Sequence, residues 1–76
     1  PTIKAMIQIH GSHPASLQLY LNEELFLDQV LPWSHTMLTP STSQDVKKIV
    51  VKNTGKFAFQ ANTLTVNPGG TEVLAE

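Results

Sequence analysis

From Ala15 to Asn22 the side chains alternate without a break, Ala15, Leu17, Leu19 and Leu21 against Ser16, Gln18, Tyr20 and Asn22. A period of two sends alternate residues to opposite faces of an extended strand, one face apolar and one solvated. The same pattern runs from Thr2 to His10, with Ile3, Ala5, Ile7 and Ile9 on one side and Lys4, Met6, Gln8 and His10 on the other. Between the two lies Gly11-Ser12-His13-Pro14, a set of turn residues in which Pro14 biases His13 away from helix.

The competing expectation is a single helix over 14–31, with Ser12 or His13 near its N-cap and Pro14 in its first turn. Leu17, Leu21 and Leu25 would share one face of it, but Leu19, Phe26 and Leu27 would lie elsewhere, leaving a helix apolar nearly all round. Strict alternation favours a strand over 15–22, a turn at Asn22-Glu23-Glu24, and a further strand over 25–31. In that last strand Asp28 and Gln29 break the phase, which predicts a bulge or a strand covered on both sides.

Downstream, Pro32 and Pro40 bracket Trp33 to Thr39, a short edge strand by this reading, since proline is tolerated at edges and ends. The run from Thr39 to Gln44 reads as a loop. Ile49, Val50 and Val51 mark a strand within 46–52, and Asn53-Thr54-Gly55 reads as a hairpin turn with glycine at a positive φ, leading into Phe57-Ala58-Phe59-Gln60. Thr63 to Val66 is a further strand. Asn67-Pro68-Gly69-Gly70 fits a type II turn, and Thr71 to Leu74 closes the series.

Turn signals about every ten residues, with no linker, repeat or low-complexity tract, predict one all-β domain over 1–76. The expected fold is a small antiparallel β-sandwich or barrel, immunoglobulin-like or jelly-roll-like, of six to eight short strands. A domain of 76 residues removes only roughly 60% of its unfolded surface from water. It has no cysteine, so neither disulfides nor thiolate zinc sites reinforce it. The apolar core must carry the fold, helped in the expected case by a partner or a second copy.

Charge narrows the function classes. The net charge is -1, charged residues are 14% of the chain, and there is no arginine. Phosphate neutralisation needs a basic stripe and base reading leans on arginine, so nucleic acid is not an expected partner, nor is an anionic membrane surface. No apolar run approaches the roughly 20 residues of a membrane span, and no basic-then-apolar leader opens the chain, so membrane insertion is not expected. Pro1 fits removal of an initiator methionine as well as an excised segment, and the compartment stays open.

Candidate chemistry is sparse. His10 and His13 flank a loop and His35 lies elsewhere, a spacing too loose to predict a metal site. Ser34 beside His35 cannot form a nucleophile–base pair, because neighbours in an extended segment point to opposite faces. Glu23 and Glu24 are adjacent solvated charges, and no motif ties Asp28 to Asp45. No cofactor, metal or catalytic residue is expected.

Trp33, the one tryptophan, stands in a loop or at a strand start, where an indole serves as a stacking platform or an interface anchor, or else plugs the open end of the core. Tyr20, on the polar side of its strand, would extend that platform, and His35 completes the candidate ligand or interface set.

The expected function is a non-catalytic binding or assembly module that recruits a protein partner or a second copy through exposed β edges. Lys47, Lys48 and Lys52 would guard such an edge. The alternative is carbohydrate binding through Trp33 and Tyr20, and a second alternative is a small enzyme that uses Pro1.

Partial resemblances point in several directions. Pro1-Thr2-Ile3-Lys4-Ala5-Met6-Ile7 is similar to the start of the tautomerase family, which implies Pro1 as general base and a long amphipathic helix after the strand; that family looks to arginine for its substrates, and none is present here. The order of Leu31-Pro32-Trp33-Ser34, the strand over 46–52 and Thr63 to Asn67 resembles the soluble domains of small mycobacterial membrane proteins, without their cysteines and membrane helix. The C-terminal two-thirds resembles the second half of jelly-roll carbohydrate-binding modules, and Lys48 to Gly55 is similar to a strand-turn of immunoglobulin-like cytoskeletal domains. Together they identify no single family.

Overall fold

A computed structural model describes residues 6–32 and 35–76. Among these are eight strands and no helix: β1 (Ile7–His10), β2 (Ala15–Leu21), β3 (Glu24–Leu31), β4 (Thr36–Leu38), β5 (Ile49–Asn53), β6 (Phe59–Ala61), β7 (Leu64–Val66) and β8 (Thr71–Ala75). They form two antiparallel four-stranded sheets, one ordered β4-β1-β6-β7 and the other β3-β2-β5-β8. The chain is therefore a β-sandwich, and the single helix over 14–31 is replaced by β2 and β3.

The alternation read from the sequence is the packing pattern. Ile7 and Ile9 from the β1 sheet meet Leu17, Leu19 and Val51 from the β2 sheet, all at or near zero exposure. Burying each of these side chains contributes about 1.5–3 kcal/mol relative to leaving it in water. Leu31, Val46, Ile49, Phe59, Ala61 and Val66 complete the layer between the sheets.

β2 and β3 pair along their length through a two-residue turn in which Asn22 and Glu23 have φ of 52° and 68°. Two consecutive left-handed residues match the right-handed twist of the flanking strands. The bulge expected in β3 is present: Leu27 faces Leu19 and Leu25 faces Tyr20, so Phe26 is the extra residue. β3 is not covered on both sides, however. It is the outer strand of its sheet, and Leu25, Phe26 and Val30 are exposed.

The hairpin expected across Asn53-Thr54-Gly55 does not form. β5 lies between β2 and β8, whereas β6 lies between β1 and β7 in the other sheet, so 54–58 carries the chain from sheet to sheet. Two contacts enforce the crossing. Thr54 N donates to Ser16 O at 3.0 Å, extending the β2–β5 ladder past the end of β5. The Asn53 side chain, fully buried, receives Gly55 N at 2.9 Å and donates to Phe57 O at 2.8 Å and Val66 O at 3.0 Å.

Gly55 is also needed for a different reason from the one expected. Its φ is not positive; a Cβ there would stand 2.9 Å from Ser16 Cβ, so glycine permits a close approach of two backbones. At 67–70 the turn is as expected, with Gly69 at φ 77° and Gly70 N bonded to Asn67 O at 2.8 Å.

The lysines do not guard an edge. Lys52 lies on β5, an interior strand, opposite Gln18 on one side and Thr71 on the other, and Lys47 and Lys48 precede that strand. The edges of the β1 sheet are instead kept short, three residues each in β4 and β7.

Candidate functional site

The outer faces of the two sheets differ in chemistry. On the β2 sheet, cross-strand register lines up Leu25, Tyr20, Val50 and Val73 in one row and Asp28, Gln18, Lys52 and Thr71 in the next. Tyr20 links the rows. Its hydroxyl donates to Gln18 Oε1 at 2.7 Å, and Gln18 Nε2 donates to Asp28 Oδ2 at 3.1 Å. The tyrosine is partly buried, with its hydroxyl held by the bond to Gln18.

Along the open side of this sheet the outer strand β3 borders a shallow groove of about 190 Å³, lined by Phe26, Leu27, Gln29, Leu38, Thr39 and Pro40. β3 and the segment just after β4 form its two banks, and Leu27 and Leu38 pack against the core at its floor. A second hollow, about 120 Å³, adjoins Leu25 and Phe26 near Thr42 and Gln44.

The outer face of the β1 sheet carries Gln8, His10, Gln60 and Thr65, with Met37 exposed beside Gln8. His10 pairs with Gln60, and Gln60 with Thr65, setting three hydrogen-bonding side chains in a row across β1, β6 and β7. His35, just before β4, extends the row: its ring meets that of His10 edge to face, centroids 5.1 Å apart. Gln8 Nε2 and His35 Nε2 are in hydrogen-bond contact at 3.1 Å. Next to the row opens a cleft of about 450 Å³ whose walls also include Gly11, Ser12, Ala58 and Phe59. The His13 ring lies parallel to that of Phe57, centroids 4.2 Å apart.

The candidate residues are thus separated. Tyr20 and His35 lie on opposite outer faces of the sandwich and do not share a site. Trp33, with Ser34 and Pro1, lies outside the described residues. The three histidines do not converge either, since His10 adjoins His35 while His13 stacks on Phe57. Among the described residues no group of three or more His, Asp or Glu is placed to hold a metal ion.

Gln60 and Thr65 were missed by sequence reasoning. Neither belongs to a motif; the pairing of β6 with β1, across some fifty residues of chain, sets Gln60 opposite His10, and the pairing of β7 with β6 sets Thr65 beside Gln60.

No family model, no curated protein and no solved structure matches the chain.

Proposed function

We propose that this domain is a non-catalytic assembly module that associates through strand addition at β3. The observation that carries this reading is the character of that strand: eight residues long, outermost in its sheet, with Val30 61% and Leu25 53% exposed and no lysine or proline within it. An edge strand presents a row of unpaired main-chain donors and acceptors, and proteins that keep such edges solitary usually shorten or charge them. β4 and β7 are short; β3 is eight residues long, with two acidic residues, Glu24 and Asp28, and a bulge at Phe26.

The groove beside β3 supports the same reading. A strand added at an edge gains affinity from main-chain hydrogen bonds and selectivity from pockets for alternate side chains. Hollows flank β3 near Phe26 on both its groove side and its turn end. A second copy of the chain, offering its own β3, is the simplest partner, because antiparallel pairing of identical edges closes on a two-fold axis.

Light scattering over a concentration series tests this. The mass rises above the 8.3 kDa of one chain as concentration increases, and Val30→Lys returns it to that of a monomer at an unchanged thermal midpoint. The control Val73→Lys, on the opposite edge, leaves association intact. A monomer at every concentration, or association that Val73→Lys abolishes and Val30→Lys does not, overturns pairing through β3.

A further inference from the structure

The cleft on the β1 sheet lies on the face away from the β2 sheet and takes no part in the proposed pairing at β3. We propose that it is a binding site for a neutral saccharide of one or two rings. The inference stands on the shape of the cleft, the absence of fixed charge in it, and the kind of polar group it holds.

The volume, about 450 Å³, falls within the roughly 300–1,000 Å³ usual for small-molecule sites, and it opens broadly to solvent, as suits a ligand that enters as part of a chain. Gly11, Ala58 and Phe59 are among the residues that line the cleft. A Cβ on Gly11 would make ordinary van der Waals contact with Phe59 Cβ at 3.4 Å and Ala58 O at 3.6 Å, and a larger side chain there would enter the cleft.

Among the described residues, none that lines the cleft is Lys, Arg, Asp or Glu. A phosphate or carboxylate ligand would call for a cationic partner and an amine for an anionic one, and the cleft offers neither. Its polar side chains are His10, Ser12, Gln60 and Thr65. The amide, the hydroxyls and an imidazole can each both donate and accept. Sugar hydroxyls have the same dual capacity, so each can be matched without leaving a buried donor or acceptor unpaired.

Spacing fits as well. His10, Gln60 and Thr65 come from adjacent strands in direct register, at the interstrand repeat of about 4.8 Å, close to the width of one sugar ring. His35, edge-on to His10, adjoins the end of the row.

The test is an amide chemical-shift titration of the isotopically labelled chain with cellobiose, maltose, lactose and diacetylchitobiose in turn, and with inorganic phosphate as the charged comparison. At least one sugar produces saturable shifts centred on Gly11, Ser12, Ala58 and Gln60, and phosphate does not. Gln60→Ala and Thr65→Ala each weaken binding by roughly threefold to tenfold. Gly11→Leu, which fills the cleft, abolishes it. Thermal midpoints confirm that each variant is folded, and should Gly11→Leu fail to fold, the two alanine variants decide the matter. Absence of saturable shifts with all four sugars, shifts centred instead on Tyr20 and Val50, phosphate binding at the same residues, or affinities unchanged in the variants overturns the proposal.

Discussion

Asn53 Nδ2 donates to the main-chain carbonyl of Val66 at 3.0 Å, joining β5 of one sheet to β7 of the other from within the core. The same nitrogen serves Phe57 O, and the side-chain oxygen takes Gly55 N, so both of the amide's functions are engaged at a fully buried position. Asn53 is the one buried polar residue among the described residues. A buried polar group with every partner in place specifies one arrangement, because any other arrangement leaves it unsatisfied.

Asn53→Ala is expected to cost about 3 kcal/mol, since it strands two carbonyls and one N–H. That is a large share of the roughly 4–11 kcal/mol implied by 0.05–0.15 kcal/mol per residue. Urea unfolding of the two proteins measures it.

Asn53→Asp adds a pH dependence with a definite sign. An ionised carboxylate would face two carbonyl oxygens in an apolar setting, so the introduced carboxyl has its folded-state pKa raised above the unfolded value of about 3.9. The folded state then binds the extra proton, and stability falls as pH rises from the unfolded pKa to the folded one. Urea midpoints across the acid-to-neutral range should show this variant nearest to wild type at the acid end; a flat difference would remove the argument.

Gly55→Ala brings a methyl to 2.9 Å from Ser16 Cβ, an overlap expected to cost about 1–3 kcal/mol. Ser16→Gly removes the opposing carbon, whereas Ser16→Ala keeps it. The double variant with Ser16→Gly should therefore recover much of the loss and the one with Ser16→Ala should not, a difference that thermodynamic cycles resolve.

The turn between β2 and β3 can be improved. Glu23 sits at φ 68°, where glycine is the preferred residue, and its ion pair with Lys48 is long at 3.5 Å with the carboxylate largely in water. Glu23→Gly should raise stability by about 0.5 kcal/mol, read as a higher denaturant midpoint at unchanged slope. Asn22 must stay, because its side chain binds Lys47 N, Lys48 N and Asp45 O.

Asn62 has two roles that substitution can separate. It adopts φ 56° in the β6–β7 turn, and its Oδ1 receives Gln8 N at 3.0 Å while its own N–H donates to Gln8 O at 2.8 Å. Asn62→Gly keeps the backbone conformation and loses the side-chain bond; Asn62→Ala loses both. Thermal melts should rank wild type above the glycine variant and the glycine variant above alanine, with steps of about 0.5–1 kcal/mol.

What could be read in the sequence was local and periodic. Alternation placed β2, the buried face of β1 and the bulged strand containing Phe26, because burial on one face of a sheet imposes a period of two. The destination of a strand is another matter. Asn53-Thr54-Gly55 carries the composition of a hairpin turn, and only the buried amide of Asn53 and the contact of Gly55 with Ser16 direct the next strand to the opposite sheet. The candidate sites were obscured for the same reason. His10 gains its neighbours His35, Gln60 and Thr65 through pairings between distant segments, and the lysines read as edge guards belong to an interior strand.

The order in which strands are dealt between the two sheets has a consequence for synthesis. Of the seven connections, two stay within a sheet, β2–β3 and β6–β7, and five cross. A nascent chain that has emerged only as far as β5 holds members of both sheets and completes neither: β1 still awaits β6, and β5 still awaits β8. Pairings of such separation are slow to form and do not reward partial folding. The growing polypeptide therefore carries two half-built layers with open edges until its last strands are released, which makes the interval on the ribosome the period of greatest exposure to misassembly.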